Sequence, residues 1–308
     1  MDLTALISAN YDIQITEITL IEKHFGTEIY LAEAGGSRYI VKKLPSVAAR
    51  LEKEEPLTRY LAQNGIRVAK LLTAKNGEGY VKTGETQFHI QEFIEGKTFK
   101  VNTAPAWLTD EFARLLGRIH NVLKNYEDMD VNFGKEFFAP SNAIGCMKHY
   151  EQRLIKVAAS GATALISALE ERVKHLKRIS AFTIETEKLT YVNSHGDYHF
   201  GQLIVNNRDA AVVDWTGACK LPAALEVIMS YVFAAPECAE GTIDSGGLKR
   251  YMEQYETFFT LNSYDINVCR NCSISSKLCV IIRRLTAIFP KHIGAFSNSL
   301  IVLRIGCI

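Results

Sequence analysis

Three side chains that can offer oxygen stand close together in the sequence: Asp197, Gln202 and Asp214. They lie in His195-Gly196-Asp197-Tyr198-His199-Phe200-Gly201-Gln202, which runs into Leu203-Ile204-Val205, and at the end of Ala211-Val212-Val213-Asp214-Trp215. Each acid sits beside a short run of buried-strand type, with the amide between them. Phosphoryl transfer asks for such a set: a carboxylate to position the attacking hydroxyl, and oxygen ligands to hold Mg²⁺ against nucleotide phosphates. Taken singly, Gly196-Asp197 also reads as a turn and Asp214 as a strand-end cap.

Other polar candidates carry less. Cys269-Arg270-Asn271-Cys272 has the spacing of half a zinc site, but only Cys279 follows nearby and His292 lies far beyond, short of the four ligands that a structural site needs. His195 is expected to pin the loop by a hydrogen bond and His199 to line the surface. His120, at the end of an apolar helical stripe, reads as a packed structural histidine, and Trp215 as core.

The elements that must position these residues differ between the two ends of the chain. Ile15–Ile21, Glu28–Ala34 and Arg38–Lys43 alternate as short strands, with Gly35-Gly36 as a turn. Ser46 to Asn64 has helical apolar spacing, and the interior Pro56 predicts either a kink or a helix that starts near it. Val68–Ala74, Tyr80–Thr83 and Gln87–Ile94 return to strand character, and a five-stranded sheet with one intervening helix fits. After Glu95-Gly96 the pattern becomes amphipathic helices at about 108–125, 145–158, 162–179, 222–235, 247–261 and 274–287. The strand-loop-strand Leu189 to Asp214 interrupts them.

Composition narrows the function classes. The 308 residues are 47% hydrophobic and 22% charged, ordinary globular values. Lys+Arg 35 against Asp+Glu 34 leaves a formal +1, without the basic excess that nucleic acid or an anionic membrane would require. The start of the chain lacks a basic segment leading into an apolar core, no stretch of about 18 apolar residues occurs, and the odd set of seven cysteines suits free thiols. A soluble, cytoplasmic protein is expected.

The ordered set of motifs resembles the aminoglycoside phosphotransferase and choline kinase family, relatives of the protein kinases. Five residues separate the Asp of His-Gly-Asp from the amide, and a hydrophobic strand then ends in Asp-Trp. Further matches are Arg38-Tyr39-Ile40-Val41-Lys42, Glu54 seven residues before Leu61, Ile90-Gln91-Glu92-Phe93-Ile94-Glu95-Gly96, and Leu116-Gly117-Arg118-Ile119-His120. The resemblance covers about residues 15 to 260. It implies an α+β, bilobal, protein-kinase-like fold: a small β-rich N-terminal lobe over residues 1–95, a hinge at about 91–96, and a larger, mostly helical lobe over 96–308.

The resemblance also implies roles. Asp197 is the base or hydroxyl-positioning residue, Gln202 and Asp214 are Mg²⁺ ligands, and Lys42 contacts the α- and β-phosphates and pairs with Glu54. Gly26 falls in the phosphate-covering turn, and Glu92 and Ile94 in the hinge that holds adenine. Lys42 is favoured over Lys43, and Glu54 over Glu55. This sequence departs from the family in three places: Gln202 stands where Asn is usual, the phosphate turn has one glycine, and Glu226 stands in place of an Asp. The implied reaction carries the γ-phosphate of ATP or GTP to a hydroxyl of a small molecule. An aminoglycoside-like acceptor leads, with Glu226, Glu237, Glu240, Asp244, Glu253 and Glu256 as a candidate acidic wall. Choline-like amino alcohols or other small metabolites are the alternatives, as is a non-catalytic, spore-coat-type member of the same fold.

Overall fold

The computed structural model describes the chain apart from residues 1, 25, 47–50, 131–139, 159–160, 181–183, 240–242 and 275–308. It divides into two compact units, Met1–Thr103 with His195–Ala218, and Ala104–Ser194 with the described residues from Cys219 onward. The sequence-predicted helix at 274–287, with Cys279 and His292, lies outside the described residues.

The first unit is built on an antiparallel sheet. Its strands are β1 (Glu17–His24), β2 (Thr27–Ala34), β3 (Ser37–Pro45), β4 (Val81–Thr83) and β5 (Thr86–Glu92), in the order β1-β2-β3-β5-β4. Gly35 and Gly36, both at positive φ, close the β2–β3 hairpin, the conformation that a two-residue turn between right-twisted strands demands. One sheet face presents Ala32, Val41, Phe88 and Ile90 to Ile7 and Tyr11, which come from helix α1 (Leu3–Asn10) and the residue after it. That helix is too short and too weakly amphipathic to have stood out in the sequence. The period of two then turns Lys42 and its register partner His89 to the opposite face.

Helix α2 (Leu51–Gln63) contains Pro56 and begins five residues ahead of it, so the chain forgoes one internal hydrogen bond rather than starting the helix at the proline. The predicted strand at 68–74 does not form. Its groups are divided among partners: Val68 bridges to Val212, Leu71 to Gln91, and the Leu72 amide donates to Ile90. Strands β7 (Leu203–Asn206) and β8 (Asp209–Val212) form a hairpin in the same unit. Lys97 and Val205 exchange two backbone hydrogen bonds at 3.0 and 2.9 Å. Only glycine fits beside that bridge, because a Cβ on Gly96 would lie 2.7 Å from the Val205 carbonyl oxygen.

The second unit is mainly helical: α3 (Ala106–Leu123), α4 (Pro140–Val157), α5 (Thr163–Ser180), α6 (Ala223–Ala234), α7 (Ser245–Tyr255) and α8 (Ser263–Ile274). A two-stranded ribbon pairs β6 (Tyr191–Ser194) with β9 (Cys219–Pro222). Every residue of α6 is buried, as its near-unbroken apolar sequence requires. The single helix expected at 247–261 ends at Tyr255. A new one starts behind Asn262, whose side chain accepts from the Asp265 amide at 2.8 Å while Asp265 accepts from the Asn262 amide at 3.2 Å. Among the described residues no helix is long and apolar enough to cross a membrane.

Candidate active site

Four of the candidate residues in the first unit, Lys42, Glu54, Asp197 and Asp214, act on one another. Lys42 is 7% exposed and its ammonium hydrogen-bonds the Asp214 carboxylate. Burial by itself would depress the Lys42 pKa, but the charges of Asp214, Glu54 and Asp197 outweigh it and raise the value. The same pair works in reverse on Asp214. Burial pushes against ionisation, yet the Lys42 charge, its hydrogen bond and a further one from Thr216 at 2.6 Å hold the carboxyl well below the usual range. Lys43 faces the other way and pairs with Glu28 of β2 at 3.0 Å.

Asp214 adopts a left-handed backbone conformation, φ 62°, rare for a residue with a Cβ. The turn reverses the chain sharply after β8, and the Trp215 amide then donates to Oε1 of Glu54 at 3.2 Å. Glu54 is 3% exposed, whereas the neighbouring Glu55 is partly exposed and within reach of Arg59. Glu54 does not hydrogen-bond Lys42, contrary to the pairing that the resemblance implies. Its charge acts on Lys42 at longer range, while its second oxygen lies 3.3 Å from Nδ1 of His89.

The loop that carries Asp197 is held by its own histidines. Nε2 of His195 donates to the Val213 carbonyl at 2.9 Å and Nδ1 accepts from the Asp197 amide at 3.3 Å, so the partners select the neutral Nε2–H tautomer. Burial lowers the His195 pKa further. His199, expected at the surface, is instead 6% exposed, with a pKa pushed down to about 4 by burial and by His195. Its Nδ1 accepts from the Gly201 amide at 2.9 Å, which leaves the proton on Nε2, 3.8 Å from Asp197. Gly201 is needed there because a Cβ would press on the His199 ring.

Gln202 ends the turn, and its carbonyl accepts from the Val213 amide at 2.9 Å, one residue before Asp214. The side-chain oxygens of Gln202 and Asp214 are the hard donors that suit Mg²⁺. Among the described residues no group of three or more His, Cys, Asp or Glu could hold a metal, so any ion here would complete its shell with phosphate and water. In the hinge segment, the Glu92 amide is spent on the Lys70 carbonyl. Ile94 packs with Ala69, Ala211, Ile204 and Val213 as an apolar patch. Gly26 stands at φ 83° in the β1–β2 turn.

The remaining candidates have structural work. His120 bridges the Tyr255 and Ser194 hydroxyls, both at 2.7 Å, with its pKa pushed down to about 3 by burial. Trp215 is buried. Of the acids considered for a polycation wall, Glu226 is buried, Glu237 accepts from Tyr231, and Asp244 caps α7. Glu253 faces Lys249, and Glu256 accepts from the Leu261 amide; Glu240 lies outside the described residues. Cys269 is buried in α8 near the Ala224 carbonyl. Sequence reasoning missed His89 and Thr216, which become visible only through strand register and the Asp214 turn.

Comparison with known proteins identifies the family and the fold. The profile of the phosphotransferase enzyme family, APH, matches residues 17–258. No curated protein matches by sequence. Among solved structures, a spectinomycin phosphotransferase bound to ADP and spectinomycin superposes with a TM-score of 0.57 at 14% identity, over 94% of this chain and 89% of that one. An amicoumacin kinase bound to AMP-PNP and Ca²⁺ gives 0.59 at 16%, over 96% and 92%. Choline kinase from Cryptosporidium parvum gives 0.57 at 13%, over 98% and 92%. The fold is therefore of the bilobal, kinase-like kind.

Proposed function

We propose, from the premise that this chain belongs to the phosphotransferase enzyme family and is a small-molecule kinase, that it transfers the γ-phosphate of ATP or GTP to a hydroxyl of an aminoglycoside-like acceptor. The observation that carries the reading is the buried charge cluster: Lys42 hydrogen-bonded to Asp214, with Asp197 close enough for its charge to act on Lys42. Two acids and one cation gathered in a largely buried place cost too much desolvation to serve packing alone.

In this reading Asp197 accepts the proton of the acceptor hydroxyl as its oxygen attacks the γ-phosphorus and the bond to the β-bridging oxygen breaks. The His195 and His199 contacts fix the loop around that carboxylate. Lys42 binds phosphate oxygens, and its hydrogen bond to Asp214 holds it ready before nucleotide arrives. Gln202 and Asp214 would hold Mg²⁺, which when bound neutralises phosphate charge. The apolar patch around Ile94 would take the base.

The acceptor rests on family likeness. The fold neighbours named for spectinomycin and amicoumacin favour an antibiotic-like amine, whereas those named for choline and aminopropanol support a small amino alcohol as the second reading. Phosphate transfer to a panel of both classes, with Mg·ATP and Mg·GTP as donors, separates the two. Asp197→Asn should leave nucleotide binding nearly intact and lower turnover by about 10²- to 10⁴-fold, the usual worth of a positioned base. Turnover within a few fold of wild type would remove Asp197 from that role.

A further inference from the structure

The two oxygens of the Asp214 carboxylate are used unevenly. The Lys42 ammonium and the Thr216 hydroxyl both donate to Oδ1, the hydroxyl at 2.6 Å, whereas among the described residues Oδ2 receives no hydrogen bond. The Asp214 side chain is 25% exposed and Oδ2 is not one of the buried, unpartnered oxygens, so that oxygen reaches solvent. Thr216 sits in a firmly held turn, Trp215–Gly217, directly after the left-handed Asp214. The Trp215 amide donates to Glu54 at 3.2 Å, its indole N–H to the Val212 carbonyl at 3.2 Å, and the Ala218 amide to the Trp215 carbonyl at 3.0 Å. A β-branched side chain on so fixed a backbone has few rotamers open to it, and here the hydroxyl lies on Oδ1.

We propose that Thr216 is the positioning residue for Asp214: its hydroxyl anchors Oδ1 and so presents Oδ2 to Mg²⁺ as a single, oriented ligand. The last torsion of an aspartate is broad unless one oxygen is held, and Mg²⁺ accepts misdirected ligands poorly. Lys42 also holds Oδ1, but its ammonium is the group that binds phosphate oxygens. Once it does so, Thr216 remains as the donor on Oδ1. Partners of this kind, hydrogen-bonded to a metal-binding carboxylate, steady the ligand and tune its affinity for the ion. This inference rests on the nucleotide-binding reading above.

The test is calorimetric binding of ATP, or of GTP should only that bind, to the full chain and its variants, once with Mg²⁺ and once with the metal chelated. It needs neither acceptor nor turnover, and melting temperature is recorded in parallel. The quantity read is the ratio of the two affinities, which a loss of packing alone would not move. Thr216→Val keeps the branched shape and removes the hydroxyl, and should cut that ratio about tenfold to a hundredfold, the usual worth of a partner to a metal ligand. Thr216→Ser keeps the donor and should stay within about threefold of wild type. Thr216→Ala is read in the same way should the valine variant fail to fold. A wild-type ratio in the variant without the hydroxyl overturns the proposal, as does a serine variant no better than it. A wild-type chain that binds nucleotide equally with and without Mg²⁺ overturns it too, while leaving the phosphotransferase reading in place. A chain that binds neither Mg·ATP nor Mg·GTP overturns that reading, and this proposal with it.

Discussion

Lys42 and Lys43 are adjacent lysines with opposite surroundings, and the difference makes a direct prediction. Lys42 is buried beside the partly buried Asp214 and feels the charges of the buried Glu54 and Asp197, whereas Lys43 pairs with Glu28 at a partly exposed position, where an ion pair is worth about 0–1 kcal/mol. Lys42→Ala should therefore abolish or strongly weaken Mg·ATP binding, and Lys43→Ala should leave it almost unchanged; the reverse ranking in a titration would refute the assignment. Gln202 makes a second prediction. Mg²⁺ tolerates little displacement from about 2.0–2.1 Å, and Gln carries its oxygen roughly 1.5 Å beyond the reach of Asn. Gln202→Asn should lower the free Mg²⁺ needed for half-maximal turnover without altering the acceptor's KM. Superimposable Mg²⁺ curves would mean that the loop has already adjusted to the longer side chain or that Gln202 does not touch the metal. Residue type and spacing marked Asp197, Gln202 and Asp214 as candidates for phosphoryl transfer. His89 was not legible, because a histidine in a strand says nothing until its neighbour across the sheet is known.

At the scale of the element, close approach outweighs propensity. Gly117 lies inside α3, where Ala would ordinarily be better by about 0.8–1 kcal/mol. Here a Cβ would overlap the carbonyl oxygen of Tyr255 at the end of α7, a backbone atom that cannot rotate away. Overpacking of that kind costs about 1–3 kcal/mol, so Gly117→Ala should lower the melting temperature by several degrees, and a rise would contradict the helix contact. The strand at 68–74 failed for a related reason: its apolar alternation is genuine, but its hydrogen bonds go to β5 residues, to β8 and to a local turn instead of one ladder. The break between α7 and α8 was readable in principle, since Asn262-Ser263-Tyr264-Asp265 is a reciprocal capping pattern.

For the whole molecule, the buried histidines set the response to acid. His120 and His199 have folded pKa values pushed down to about 3 and about 4, and His195 is lowered too, in each case chiefly by burial. The unfolded chain binds protons at these sites near pH 6.5, whereas the folded chain resists doing so. Their contribution is therefore fully present above about pH 6.5 and is lost as pH falls toward the folded values, by about 1.4 kcal/mol per pH unit for each histidine held neutral. The melting temperature should drop between pH 7 and pH 5, before carboxylates of ordinary pKa titrate. His120→Gln, destabilised at neutral pH by its altered hydrogen bonds, should show a shallower slope. A flat profile for the wild type would show that these rings are not held neutral.

What the sequence determined by itself is the order of chemical parts and the change from strand to helix periodicity, because both depend on residue type and local spacing. Gln202 and Asp214 are separated by one short hairpin, which brings the Gln202 carbonyl onto the Val213 amide, one residue before Asp214. Tertiary structure alone decided which polar groups Asp197 and Asp214 meet. Lys42 and Glu54 arrive from a distant strand and helix, and a register shift of one residue would have exchanged Lys42 for Lys43 on the buried face. That register, together with the left-handed turn at Asp214, gives Lys42 to Asp214 and leaves Glu54 to His89 and the Trp215 amide.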